Sequence, residues 1–145
     1  ACREGGDQKA GRAVFHDLEA TRCTRCHALG GQGGNAGPAL DGIGKKLGRE
    51  QLLEALVTPS ARIAEGFGTV TIDTKDGDSC VGVGPQERAG VVTIVSVLGE
   101  TSQVRAADIT GRTPQAASAM PPMGGALNRR QIRDLIEVLS RQQKG

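Results

Sequence analysis

The feature that most constrains this chain is a C-x-x-C-H sequence at residues 23–27. Two cysteines at this spacing, with a histidine directly after the second, form the attachment signature of c-type haem. Cys23 and Cys26 are predicted to form thioethers with the two vinyl groups on one edge of the porphyrin. His27 is predicted to be the proximal axial ligand of the iron. The sequence therefore predicts one covalently bound haem c.

The composition agrees with a core that is completed by a group other than protein. The chain has no Trp, no Tyr, two Phe and 22 Gly among 145 residues.

Its 18 basic and 16 acidic residues give a net charge of +2, which is too balanced for a nucleic-acid-binding surface. No stretch approaches the roughly 18 apolar residues of a membrane span. No signal sequence is recognisable at the start, and we expect any export signal to have been removed already.

Two other uses of paired cysteines fit the sequence less well. A thioredoxin-like redox pair opens a helix after a strand, whereas here a helix is predicted before Cys23 and a glycine-rich loop after His27. A structural zinc site needs four ligands, but the chain has no second C-x-x-C and one further histidine, His16. Haem attachment therefore remains the preferred interpretation.

Helical spacing of apolar residues and the positions of glycine and proline predict the order of elements. Asp7 and Asn128 are predicted N-caps of the first and last helices. The predicted helices are 8–20, 49–57 and 129–142, and the predicted loops are 28–44 and 110–127. Alternating apolar residues and turn signals such as Asp76-Gly77 predict a small antiparallel sheet from residue 67 to about 109.

The second axial ligand is expected from the methionines, both of which lie in the proline-rich segment before the last helix. A thioether is a soft, neutral ligand, and Met/His ligation raises the reduction potential and suits electron transfer. Met120 is predicted as the distal ligand because Pro121 stiffens the loop directly after it. Met123 is the second choice, and its other role would be to fill a gap in the core.

Several further residues are candidates for secondary roles. Cys2 and Cys80 are interpreted as free thiols or as disulfide partners, within one chain or between two chains, in an oxidising compartment. His16 is expected to face solvent. Arg62 and Arg112 are candidates for holding the haem propionates.

Two motifs beside the C-x-x-C-H sequence resemble those of class I cytochromes c. Residues 11–15 (GRAVF) resemble a first-helix pattern in which a glycine and an aromatic residue pack on the C-terminal helix. Residues 37–40 (GPAL) resemble the family's Gly-Pro-x-Leu loop. The resemblance implies that the Pro38 carbonyl accepts a hydrogen bond from His27 and fixes its tautomer. The last helix departs from the family pattern, since residues 136–139 (IEVL) contain no aromatic residue.

A further set of short motifs extends over most of the chain: residues 59–67, 75–77, 108–109, 118–121 and 134–135. With these motifs, residues 10 to 140 more closely resemble a haem-binding domain family described from Planctomycetes and Verrucomicrobia. That family has a β-rich insert before the methionine loop, and its domain often ends long exported proteins. The resemblance implies an exported location, supports Met120 as the ligand, and leaves open that the chain is a domain of a longer protein.

We therefore expect a mainly α fold: a cytochrome c core with an inserted small antiparallel sheet, in one domain over residues 1–145. The expected function is one-electron transfer by a monohaem, His/Met-ligated protein in the periplasm or otherwise exported. The chain itself is not expected to be an enzyme, although it could serve as the redox domain of one. The redox protein partner is not identified by the sequence. Either an acidic redox protein is attracted by a set of basic side chains, or these side chains are ordinary solvated charges. These side chains are Arg22, Arg25, Lys45, Lys46 and Arg49.

Two other functions remain open on the sequence. A labile methionine ligand would leave a site for diatomic gases, as in a sensor, or for peroxidase-like chemistry. A peroxidase also needs a distal acid–base group, and none is identified. Alternatively, the β insert is an interaction module whose edge strands pair with a neighbouring domain or with a second copy, giving a homodimer.

Overall fold

The computed structural model describes residues 4–144, so Cys2 and the roles predicted for it lie outside the described residues. The helices are α1 (Gln8–Phe15), α2 (Cys23–Cys26), α3 (Ile43–Lys46), α4 (Arg49–Val57) and α5 (Arg129–Ser140). Short 3-10 turns cover Ala106–Asp108 and Met123–Gly125. Among the described residues no helix could cross a membrane.

The strands form two antiparallel sheets. A two-stranded sheet pairs β1 (Ala28–Leu29) with β2 (Gln32–Gly33), directly after the haem motif. The larger sheet has the order β6-β5-β4-β3-β7. Its strands are β3 (Thr69–Thr74), β4 (Ser79–Arg88), β5 (Val91–Val95), β6 (Thr101–Arg105) and β7 (Ile109–Pro114).

The prediction of a mainly α fold is wrong. Helices account for 30% of the chain and strands for 26%, and the inserted sheet has five strands. The insert is larger than predicted because β7 occupies residues assigned to a loop and because β4 is ten residues long. Pro114 is tolerated at the end of β7 since β7 is an edge strand, where one row of N–H groups needs no partner in the sheet.

The first helix is shorter than predicted. Asp7 caps it as expected, accepting a hydrogen bond from the Ala10 N–H at 3.0 Å. The helix ends at Phe15 instead of residue 20 because the Asp17 side chain takes the next backbone donors. Asp17 Oδ1 accepts from the N–H groups of residues 19 and 20 at 3.0 and 2.9 Å, and this local turn competes with the helix.

The helices α4 and α5 confirm the sequence predictions closely. The bounds of α4 are those predicted. At the start of α5, Asn128 Oδ1 accepts from the Gln131 N–H at 2.9 Å, and Gln131 Oε1 accepts from the Asn128 N–H at 3.0 Å. This reciprocal pair is a capping box, which satisfies two donors that the helix cannot satisfy itself.

The helical core forms where α1 crosses α5. Phe15 is 1% exposed and belongs to one apolar cluster with residues from α4, α5 and the methionine loop. On the α5 side, this core is made of aliphatic side chains: Ile132, Leu135, Ile136 and Leu139. The sheet has a separate core of Val70, Ile72, Val92 and Ile94. The haem motif is therefore attached to the helical core, and the sheet carries its own.

Candidate haem site

The C-x-x-C-H sequence forms a single helical turn, α2, held against the end of α1. The Thr21 hydroxyl lies 2.6 Å from the Val14 carbonyl and 2.9 Å from the Asp17 carbonyl. Arg22 then adopts a left-handed backbone conformation, with φ of 56°. This reversal starts α2 directly after the turn that ends α1. The position of Cys23 is thus fixed by the first helix.

His27 follows α2 in extended conformation, and its ring is held by the backbone of the loop beyond. Its Nδ1 lies 2.8 Å from the Pro38 carbonyl oxygen. A carbonyl can only accept, so Nδ1 carries the hydrogen and Nε2 is left with a free lone pair. This is the hydrogen bond that the family resemblance implied, and it leaves Nε2 as the ring atom available to a metal.

The glycine-rich loop packs on the haem motif itself. A Cβ on Gly34 would lie 1.8 Å from the Arg25 carbonyl oxygen, and one on Gly37 would lie 2.5 Å from Cε1 of His27. The N–H groups of these two glycines donate to the carbonyls of Thr24 and Cys26 at 2.9 and 2.8 Å. The loop thereby satisfies carbonyls at the end of α2. Glycine is required here for close approach, and the loop is not a slack linker.

A deep apolar cleft opens beside α2. It contains about 1300 Å³ of space between the protein atoms, a figure that includes space open to solvent. Cys23, Cys26 and His27 lie on one wall, and Met120 and Met123 also line it. The remaining walls are largely aliphatic, with Phe15, Leu40, Leu52, Leu56, Ile63 and Phe67 among the lining residues.

Burial favours the neutral forms of the two thiols and the imidazole of the motif. Desolvation raises the pKa of the Cys23 thiol, against a smaller opposing hydrogen bond from Thr21. Desolvation likewise raises the pKa of Cys26, while the charge of Arg25 opposes it. The pKa of His27 is lowered by burial, although its bond to Pro38 acts in the other direction. The imidazole is therefore neutral, which is the form that ligates metals.

The two methionines are placed differently although both line the cleft. Met120 is half-buried, and its N–H donates to Ser118 Oγ at 3.1 Å. Met123 begins a 3-10 turn, is 4% exposed, and belongs to the core cluster around Phe15. The loop is tied to the end of α4, since the Ser118 N–H donates to Ser60 Oγ at 2.9 Å.

The other candidate residues are spread over the molecule. His16 is exposed and makes an edge-on ring contact with Phe15 at 5.1 Å between centroids. Cys80 is half-buried against the sheet core, and it forms no disulfide with a cysteine of residues 4–144. Arg62 lines the cleft, whereas Arg112 is on β7 and pairs with Glu87 across the sheet at 2.9 Å. Only Arg62 of the two propionate candidates is therefore near the proposed haem.

The basic residues separate into three groups. Arg22 and Arg25 are exposed at the haem motif, and Arg22 lines the cleft. Lys45 and Lys46 are exposed at the end of α3. Arg49 is half-buried, because its guanidinium bonds to Glu137 at 2.8 Å. It therefore joins α4 to α5, in a contact between helices.

One part of the cleft had no signal in the sequence. Val97, in the turn between β5 and β6, lines the cleft beside the haem motif. It is separated from the motif by about seventy residues, and only the pairing of the strands brings it there. No local pattern marks a residue of the insert as part of the site.

The donor set and the cleft fit a haem. Two thiols and an imidazole with a free Nε2 lie on one wall of an apolar cleft, which a thioether also lines. Among residues 4–144 no group of three or more acidic, histidine or cysteine side chains is arranged to hold a metal ion. Fold and site together define a small haem-binding redox protein.

Comparison with known proteins agrees with this class. The sequence model of the cytochrome c family matches residues 8–98, more than half of the chain, and the protein belongs to that family. Its members bind haem c and are in general electron carriers. No curated protein matches the sequence significantly. The family match ends at residue 98, so the methionine loop and α5 lie beyond it.

Proposed function

We propose that this protein carries single electrons through one haem c, attached covalently to Cys23 and Cys26 with His27 and Met120 as axial ligands. The observation that carries the proposal is the common cleft: the haem motif and Met120 both line it, although they are distant in sequence. Bound haem would supply an iron that cycles between ferric and ferrous states.

The residues around the cleft would each have a defined task. The Pro38 carbonyl holds Nδ1 of His27 at 2.8 Å and so orients the ring with Nε2 available as ligand. The aliphatic walls exclude water and lower the local dielectric, which favours the less charged ferrous state. The low dielectric of the walls would raise the reduction potential, as suits an electron carrier.

The contacts of the two methionines favour Met120 as the distal ligand. Met123 is 4% exposed and fills space in the helical core, so turning its sulfur toward an iron would open a cavity there. Met120 is half-buried and packs only at the edge of that core. Its thioether can therefore bind iron without disturbing the packing between helices.

The test compares the wild-type protein with Met120→Ala and Met123→Ala, each produced with a haem c maturation system. For all three proteins we expect a pyridine haemochrome spectrum whose absorption bands are those of haem with two thioether bonds. Mass spectrometry should show one haem per chain. Ferrous wild-type protein should not bind carbon monoxide, whereas Met120→Ala should bind it promptly and have a lower reduction potential. Met123→Ala should match the wild type in carbon monoxide binding and in reduction potential. The reverse result would move the ligand to Met123.

Prompt carbon monoxide binding by the wild-type protein would instead contradict the closed site. It would mean that the sixth position is open or weakly held, and a gas sensor or a peroxidase-like protein would then fit better than an electron carrier. Lack of covalent haem in a maturation-competent host would refute the proposal altogether.

We infer an acidic redox protein as partner, because Arg22 and Arg25 are exposed at the haem motif. Replacing both with Gln should slow oxidation of the ferrous protein by ferricyanide, an anion, relative to the wild type, and raising the salt concentration should remove the difference. Replacing Lys45 and Lys46, at the end of α3, is the matched control. An unchanged rate at low salt would contradict this role.

We further propose that the protein is exported, that it is a member of the haem-binding domain family with a β insert, and that it forms a homodimer. The resemblance to that family supports a periplasmic location. The edge strands β6 and β7 each have a neighbour on one side only, so pairing between copies could form a homodimer. Sedimentation should show a concentration-dependent dimer, and a monomer at all concentrations would exclude it.

A further inference from the structure

The insert reaches the haem cleft at a single place. Of residues 69–114, which contain the five strands, only Val97 lines the cleft. The neighbouring Gly99 also lies beside the haem motif, since a Cβ there would be 3.8 Å from the Arg25 carbonyl oxygen. The turn at residues 96–100, between β5 and β6, is therefore the part of the insert that borders the proposed haem.

This turn is held rigidly by its own hydrogen bonds. The Ser96 N–H donates to the Glu100 carbonyl at 2.8 Å, and the Gly99 N–H donates to the Ser96 carbonyl at 2.9 Å. The Ser96 hydroxyl oxygen accepts from the N–H groups of Leu98 and Glu100 at 3.2 Å each. Gly99 has a φ of 84°, which glycine adopts without strain. The turn thus presents Val97 in a fixed direction.

The side chains at the tip are unusual for a turn. Turn positions favour Gly, Asn, Asp and Ser, yet here two aliphatic residues stand next to each other, Val97 at 56% and Leu98 at 67% exposure. Val97 faces the cleft, and a porphyrin bound there would cover it.

We propose that Val97 contacts the haem and that the turn at residues 96–100 forms a side wall of the haem site, excluding water from its edge. This inference rests on the proposed function, since it requires haem in the cleft. It makes the inserted sheet part of the redox site. A wall of this kind sets the solvent exposure of the haem, which is one of the factors that determine a reduction potential.

The first test needs no variant. In the diamagnetic ferrous holoprotein, the ring current of a porphyrin shifts the NMR signals of methyl groups in contact with it. The Val97 methyl resonances should be displaced strongly from ordinary valine positions, whereas those of Val81, which is exposed on β4, should not. Val97 methyl signals at ordinary positions in a protein with covalent haem would overturn the inference and leave the proposed function intact.

The second test uses a matched pair of variants, Val97→Asp and Leu98→Asp. Both add one negative charge to exposed neighbouring positions, but only Val97 lines the cleft. A negative charge beside the haem stabilises the ferric state. In a redox titration of the holoprotein, Val97→Asp should therefore shift the equilibrium between ferric and ferrous protein about tenfold toward the ferric form, which lowers the reduction potential by about 59 mV for one electron. Leu98→Asp should shift it by no more than about threefold. Equal shifts, or none, would overturn the inference.

Discussion

Helices α1 and α5 approach each other very closely at Gly11, and enlarging this residue should destabilise the protein. A Cβ on Gly11 would lie 2.0 Å from the Asp134 carbonyl oxygen and 2.7 Å from Cγ2 of Val138. The first of these atoms is backbone in the middle of α5, so it cannot rotate away as a side chain could. Gly11→Ala therefore requires the two helices to move apart.

The size of the effect follows from that geometry. Real Cβ contacts are essentially never below 3.0 Å, so a contact of 2.0 Å requires a shift of about 1 Å. Overpacking costs typically 1–3 kcal/mol, and a clash with backbone belongs at the upper end. Alanine regains about 1 kcal/mol through its higher helix propensity. We expect Gly11→Ala to lower the free energy of unfolding by about 2 kcal/mol, or roughly 30-fold in the folding equilibrium.

The assay is unfolding of the haem-loaded protein in guanidinium chloride, followed by far-ultraviolet circular dichroism. The midpoint should fall while the m-value stays constant. The control is Gly125→Ala. Apart from its chain neighbours, no described heavy atom lies within 4 Å of the place that a Cβ on Gly125 would take, so this substitution should change stability by less than about 0.5 kcal/mol. Equal stability of the two variants would refute the packing argument for α1 and α5.

Three further changes test other contacts. Asn128→Ala removes the N-cap of α5 and should cost about 1 kcal/mol in guanidinium unfolding; no loss would mean that the capping box contributes nothing. Met123→Ala should cost about 2–5 kcal/mol, because Met123 is buried in the helical core, and an unchanged stability would contradict its packing role. Hydrogen bonds from Arg141 and then Arg49 hold the pKa of Glu137 below its usual value. The stability that this interaction provides is present above the ordinary glutamate pKa of about 4.3 and is lost as the pH falls through the lower folded-state pKa. Glu137→Gln should therefore flatten the decline of stability on acidification, and an unchanged pH profile would contradict it.

Local signals predicted the parts of the fold that depend on neighbouring residues. The haem motif, α4, the capped start of α5 and the hairpin turn at Asp76-Gly77 each carry their information within a few residues. The end of α1 was missed because helical spacing of apolar residues continues to Leu18, while Asp17 diverts the backbone donors. A competing side-chain hydrogen bond is hard to weigh against apolar periodicity.

The errors in the insert arose from long-range pairing. β7 contains Gly111 and Pro114, which both disfavour a strand, yet it pairs with β3 from Val70 to Thr74. The place of β7 at the sheet edge removes the penalty of proline, but the position of a strand within a sheet cannot be read from its own residues. The same limit explains why Val97 was missed as part of the cleft.

The position of the two ends of the insert explains how a five-stranded sheet can interrupt a haem-binding core. β3 enters the sheet and β7 leaves it as antiparallel neighbours, and the Gln115 N–H donates to the Thr69 carbonyl at 2.9 Å. The chain therefore returns to the place from which it departed. The methionine loop resumes beside the end of α4, where Ser118 bonds to Ser60. Because the sheet also has a core of its own, the helical packing around α1 and α5 does not depend on it. Among residues 69–114, the turn at residues 96–100 is the part that borders the cleft, which is why Val97 is the residue at which the contribution of the five-stranded sheet to the haem site is tested.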